Sequence, residues 1–230
     1  MPNIENNITA VQRRLQQAAR DAGRSPEDIL LLAVSKTRTS AQVRRAVDAG
    51  LQSFGENYLQ EAIDKIDQLK DCNLDWHFIG PLQSNKTRQA AEHFHWVHSV
   101  DRMKIAQRLS DQRPDNMPPL NICLQINLDD EDSKSGYSPD QALQSASAIA
   151  QLPNLKLRGL MAIPKARTDI EGQRAAFARL RTVRDQINSL LDNSQKLDTL
   201  SMGMSADMEA AICEGATVVR VGTDIFGPRD

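Results

Sequence analysis

Ile29-Leu-Leu-Leu-Ala-Val-Ser35, followed directly by Lys36, is a short run that is apolar on successive positions. It is too short for an amphipathic helix of ordinary length and reads as a strand buried on both faces, the kind parallel sheets use. Seven more such runs follow it: Ser53–Glu56, Trp76–Ile79, Trp96–Val100, Leu120–Asn127, Leu155–Ile163, Thr199–Gly203 and Thr217–Gly222. The segments between them carry helical patterns. Thr39-Ser-Ala-Gln42 and Ser138-Pro-Asp-Gln141 each have the spacing of a capping box, in which side chains satisfy the open amides of a first helical turn. The longest pattern sets Phe177, Leu180, Val183, Ile187 and Leu190 on one stripe, and Arg113–Pro119 is a loop before the fifth strand.

Ahead of the first strand, Ile4, Ile8, Val11, Leu15, Ala18 and Ala22 mark an amphipathic helix that Gly23 ends, and Ser25-Pro26 opens a short turn as its cap and first position. Eight strand–helix pairs in succession favour an α/β fold of the closed (β/α)8 TIM-barrel type. An open doubly wound sheet is the structural alternative. The expected organisation is one domain over residues 1–230, with the helix of residues 1–23 packed on the barrel.

Composition narrows the function classes. With 28 basic against 30 acidic residues, a net charge of −2 and 4% aromatics, the chain has neither a basic block nor base-stacking platforms, so no nucleic acid partner is expected. The opening residues lack a secretory pattern, and no run is apolar enough to span a bilayer, so no membrane partner is expected either. Cys72, Cys123 and Cys213 are widely spaced and odd in number, which suits a reduced, cytoplasmic protein. His93, His95 and His98 straddle a helix end and a strand start, so no metal site is assigned.

In a barrel of this type, chemistry collects where strands end. Lys36 ends the first strand and shares its face by alternation with Leu30, Leu32 and Val34. Two fates are open to such a lysine. It snorkels to solvent or pairs with Glu56; or apolar walls favour its neutral amine, which attacks an aldehyde. Ser201-Met-Gly-Met-Ser205 runs from the seventh strand into a helix that Ser205 is expected to cap, with Asp207 in its first turn; the eighth strand ends in Gly222-Thr223. Glycines and hydroxyls there suit either an anion cradle or two ordinary tight turns. Arg220 shares an inward face with Val218 and needs a partner, whether an interior carboxylate or a ligand. Lysine, cradle and arginine on one rim suit an aldehyde phosphate.

These residues fall in motifs that resemble the pyridoxal phosphate homeostasis proteins. The matching stretches are Leu32-Ala-Val-Ser-Lys36, Phe54-Gly-Glu-Asn-Tyr58, His77-Phe-Ile-Gly-Pro-Leu-Gln-Ser-Asn-Lys86, Gly159-Leu-Met161, Ser201-Met-Gly-Met-Ser-Ala-Asp207 and Arg220-Val-Gly-Thr-Asp-Ile-Phe-Gly227. They run in order over nearly the whole chain, with Asp129–Tyr137 matching more loosely. The resemblance implies a barrel like the N-terminal domain of alanine racemases, with pyridoxal 5′-phosphate held as an internal aldimine on Lys36. It further implies phosphate contacts from Ser201, Gly222 and Thr223, Asn57 in the pocket wall and Arg220 near the pyridine nitrogen. With Ser205 from the seventh loop, these are the expected cofactor-binding residues; no catalytic residue is assigned.

Binding, storage and transfer of the cofactor is the expected role, with apo forms of enzymes that use pyridoxal phosphate as acceptors and a monomer as the working unit. An arginine at the ring nitrogen donates a hydrogen bond but leaves the nitrogen unprotonated, which weakens the ring as an electron sink. The chain also ends soon after Thr223, where racemases on this barrel continue into a second domain. The alternative is an amino-acid racemase or lyase working through Lys36, which needs an acid opposite that lysine; Tyr58 and His77 are the nearest candidates in the sequence.

Overall fold

Eight parallel strands close into a ring in strict sequence order, β1 to β8, in the computed structural model of residues 3–131 and 135–228. The ends of the 1–230 span and the middle of the Asp129–Tyr137 segment lie outside the described residues. The strands are β1 (Leu30–Val34), β2 (Ser53–Glu56), β3 (Asp75–Phe78) and β4 (Trp96–Val100), then β5 (Leu120–Gln125), β6 (Leu155–Met161), β7 (Thr199–Met204) and β8 (Val218–Val221). Helix α1 (Ile4–Asp21) precedes them. The helices that follow the strands are α2 (Ser40–Asp48), α3 (Leu59–Gln68), α4 (Thr87–His93), α5 (Met103–Gln112), α6 (Pro139–Ala150), α7 (Ile170–Leu190), α8 (Met208–Cys213) and α9 (Thr223–Phe226). The closing pair is β1 with β8, in register Leu30 to Val218 and Leu32 to Arg220. The open-sheet alternative is thereby set aside.

Local chemistry explains most boundaries. Both capping boxes form: Thr39 and Gln42 at α2, Ser138 and Gln141 at α6 exchange their reciprocal bonds. Helix α1 buries Ile4, Ile8, Val11, Leu15, Ala18 and Ala19, and lies against α8, α9 and α2. Gly23 follows its end at φ 65°, a conformation in which glycine carries no Cβ penalty. Burial continues past two strand ends, at Ile126 and Ala162, whose amides still donate to the carbonyls of Met161 and Ser201. That is why the apolar runs overshoot β5 and β6.

Three local expectations need correction. Ser205 does not cap α8; β7 continues to Met204, and Asp207 sits at the cap position with its carboxylate accepting from the Met204 amide at 2.6 Å. The cause is an irregularity in the β7–β8 pairing between Ser201 and Met204, which delays the turn. Leu190 is 61% exposed, because the last turn of α7 overshoots and Leu191 fills the core position instead. Ser25 makes no cap bond, its hydroxyl being taken by Glu27.

The main core lies between ring and helices, with Phe54, Phe78, Phe94 and Phe177 buried there. Inside the ring the medium differs. Leu32, Met161 and Val218 are buried outside that core cluster, and beside them stand polar side chains. His77, His98, Ser201 and Arg220 are each at most 4% exposed. Gly159 lets β6 and β7 approach, since a Cβ there would lie 1.8 Å from the Thr199 carbonyl oxygen.

Candidate functional site

A cavity of about 260 Å³ opens where the strands end. Its walls bring together Lys36, Asn57, Ser205, Arg220, Gly222 and Thr223, with Val34, Ile79, Ile163 and Met204 as apolar lining. Six of the seven residues expected to bind a cofactor thus converge on one space. Arg220 lies on β8 and the others just past the ends of β1, β2, β7 and β8, and the β1–β8 pairing makes the first and last strands neighbours. Lys36 is half-buried, Thr223 is exposed, and Ile163 and Met204 add apolar surface at the mouth.

Ser201 is the seventh residue, and the structure does not bring it to the cavity wall. Fully buried beneath, it receives hydrogen bonds from Nη1 of Arg220 at its carbonyl, 2.6 Å, and at its hydroxyl, 2.8 Å. Nη2 of Arg220 donates to the carbonyl of Ala162 at 2.9 Å. The arginine has no ion pair among the described residues. Neutral acceptors hold it, three of its five donors are committed, and two remain for an occupant of the cavity it lines. Burial pulls its guanidinium down to about 10, with Asp207 pushing back, so it stays charged at neutral pH.

The hydroxyl of Ser201 continues the chain to Nδ1 of His98 at 2.8 Å, and Nε2 of His98 lies 2.9 Å from Nδ1 of His77. Arginine only donates, so the assignment that satisfies the serine proton runs Arg220 to Ser201 to His98 to His77. Both imidazoles are neutral in that assignment. Burial drives His77 down to about 3 and His98 well below the ordinary histidine range. His77 is therefore a neutral interior histidine that does not line the cavity; Tyr58 is 56% exposed and does not line it either. His93 and His95 bond elsewhere, to the Gln89 carbonyl and the Trp76 amide.

Below Lys36, Glu56 is paired with Lys65, a residue the sequence did not single out. Nζ of Lys65 donates at 2.6 Å to Oε1 of Glu56, to Oε1 of Glu61 and to the Ser35 carbonyl. The only hint in the sequence is the four-residue spacing of Glu61 and Lys65.

The lining suits a small aldehyde phosphate by its donor set. Backbone at Gly222 lies so close to β1 that a Cβ would meet the Val34 carbonyl oxygen at 3.2 Å. Ser205 and Thr223 share the lining with it, as do a charged arginine and Lys36 just past the end of β1. Oδ1 of Asn57 is buried and makes no hydrogen bond, an acceptor ready for a donor.

Residues 3–230 match the family described as alanine racemase, N-terminal domain. The pyridoxal phosphate homeostasis protein of Pseudomonas aeruginosa is 60% identical over 230 residues, covering all of this chain and 97% of that protein. The protein of the same name from Escherichia coli is 50% identical, covering all of this chain and 98% of its own. Among solved structures, PipY of Synechococcus elongatus determined with PLP bound superposes with a TM-score of 0.86 at 36% identity, over 98% of this chain and all of that one.

Proposed function

The chain belongs to the family of pyridoxal phosphate homeostasis proteins, on the alanine racemase N-terminal barrel, and from that premise we propose that it holds pyridoxal 5′-phosphate on Lys36 and hands it on. The observation that carries this reading is the convergence of Lys36, Arg220, Gly222, Thr223, Ser205 and Asn57 on one cavity. When bound, the cofactor supplies an aldehyde that condenses with a primary amine, forming a C=N bond and releasing water.

In this reading Nζ of Lys36 is the attachment point. Gly222, Thr223 and Ser205 receive the phosphate by backbone and hydroxyl donors. Arg220 donates to the ring nitrogen, and Asn57 accepts from the occupant. Ser201 acts at one remove: its hydroxyl and carbonyl fix the arginine and leave the phosphate to Ser205. Free Cys72, Cys123 and Cys213 fit the reducing cytoplasm, where apo enzymes that need the cofactor are its acceptors. Among the described residues no helix is long and apolar enough to cross a membrane.

Holding rather than turnover is favoured by what surrounds Lys36. A charged arginine leaves the ring nitrogen unprotonated, and neither Tyr58 nor His77 lines the cavity to serve as the opposing acid. The test is to load the purified protein, reduce with borohydride and map the modified peptide. Lys36 is the expected site, and Lys36→Ala is expected to abolish it. Attachment elsewhere, or none, overturns the reading; steady turnover of an L- or D-amino acid that Lys36→Ala removes overturns the carrier role.

A further inference from the structure

The turn that presents Lys36 is built against local preference. The Arg38 amide donates to the Ser35 carbonyl at 3.0 Å, so Ser35–Arg38 closes a tight turn with Lys36 and Thr37 at its centre. Thr37 has φ 63°, in the left-handed region where glycine or asparagine is usual and a β-branched residue is rare. Something outside the turn must hold it there.

The structure shows what does. Lys65, 4% exposed on the inner side of α3, spends its three ammonium donors on three oxygens: the Ser35 carbonyl, Oε1 of Glu56 and Oε1 of Glu61, all at 2.6 Å. Oε1 of Glu61 also accepts from the Thr37 amide at 2.6 Å. Oε1 of Glu56 accepts from the Ser35 hydroxyl, again at 2.6 Å. The peptide groups on both sides of Lys36 are thus gripped by one charged cluster on β2 and α3, buried at Lys65 and Glu56 and partly exposed at Glu61.

We propose that Lys65, acting through Glu56 and Glu61, is a positioning residue that holds the Lys36 turn in its left-handed form and so aims the amine into the cavity. The proposal rests on the reading that Lys36 carries the cofactor. The physical reason is orientation. An aldehyde fixed at its phosphate end meets an amine efficiently only if the amine is fixed too.

The decisive experiment is a mutant cycle between Lys65→Met and Thr37→Gly. Each protein is titrated with pyridoxal phosphate, and the visible absorbance and induced circular dichroism of the bound form are recorded. Lys65→Met is expected to weaken binding about tenfold and diminish the induced signal, with borohydride still trapping Lys36. Thr37→Gly alone is expected to be nearly silent, and in the Lys65→Met background to recover most of the loss, because glycine takes a positive φ unaided.

Should Lys65→Met fail to fold, Glu61→Ala on the partly exposed side of the cluster gives the same direction at about threefold. Hydrogen exchange at the Thr37 amide, read without cofactor, should accelerate in either variant. Wild-type binding and exchange in these variants, or no recovery with Thr37→Gly, overturns the clamp. If the wild-type protein is trapped at a residue other than Lys36, the attachment reading fails while the Thr37 exchange result still judges the clamp.

Discussion

Arg220 is charged, 4% exposed and held only by neutral oxygens, so its neighbours have an unusually large influence on it. Removing the Ser201 hydroxyl leaves one guanidinium N–H and Nδ1 of His98 without partners. Ser201→Ala is therefore expected to cost about 1–3 kcal/mol in urea unfolding, and to weaken cofactor binding although the serine does not line the cavity. The two interior histidines set a pH dependence. In the unfolded chain His77 protonates near 6.5, in the folded protein only near 3. Between those values the unfolded state holds more protons, so stability falls as pH drops below about 6.5, by about 1.4 kcal/mol per pH unit for each such group. His98 acts in the same direction. Denaturant midpoints measured between about pH 7 and pH 5 check this; a flat profile would contradict neutral, buried rings.

At the scale of elements, Gly159 lies where β7 leaves no room for a Cβ on β6. Gly159→Ala drives a Cβ into the Thr199 carbonyl and is expected to destabilise the barrel by at least about 3 kcal/mol, read by thermal or urea unfolding. How far such elements were legible depended on what signals them. Ser53–Glu56 and Trp96–Val100 were read with their true bounds, because turn-forming or helical residues frame them closely. The caps of α2 and α6 were legible for the same reason: the bonds are local. Ser205 was misread as a cap because an irregular strand pairing leaves no trace in a period-two pattern. Lys65 looked like any solvent-facing helix lysine, since spacing shows which residues share a face and not which face is buried. The chain from His77 to Arg220 links four strands, β3, β4, β7 and β8, and only their register reveals it.

For the molecule as a whole, closure of the ring decides where chemistry can happen. The family motifs lie in sequence order, yet the cavity needs the first strand beside the last. Helix α1 reinforces that junction from outside: Arg14 reaches Glu209 on α8, Asp224 on α9 and the carbonyl of Ser205 in the cavity wall. Contacts this distant in sequence form late, because loop closure must precede them. In refolding, helical signal is expected to return before the protein can take up pyridoxal phosphate, and uptake should follow the slowest phase. Cofactor capture simultaneous with the earliest helical signal would contradict this order.

The pairing of β1 with β8 therefore has a consequence for the cell as well as the test tube. A nascent or damaged chain whose final seam is still unzipped has its lysine and its anion cradle on separate shores. If Lys36 is the attachment point, as proposed, such a chain cannot hold the aldehyde, and loading awaits completion of the ring.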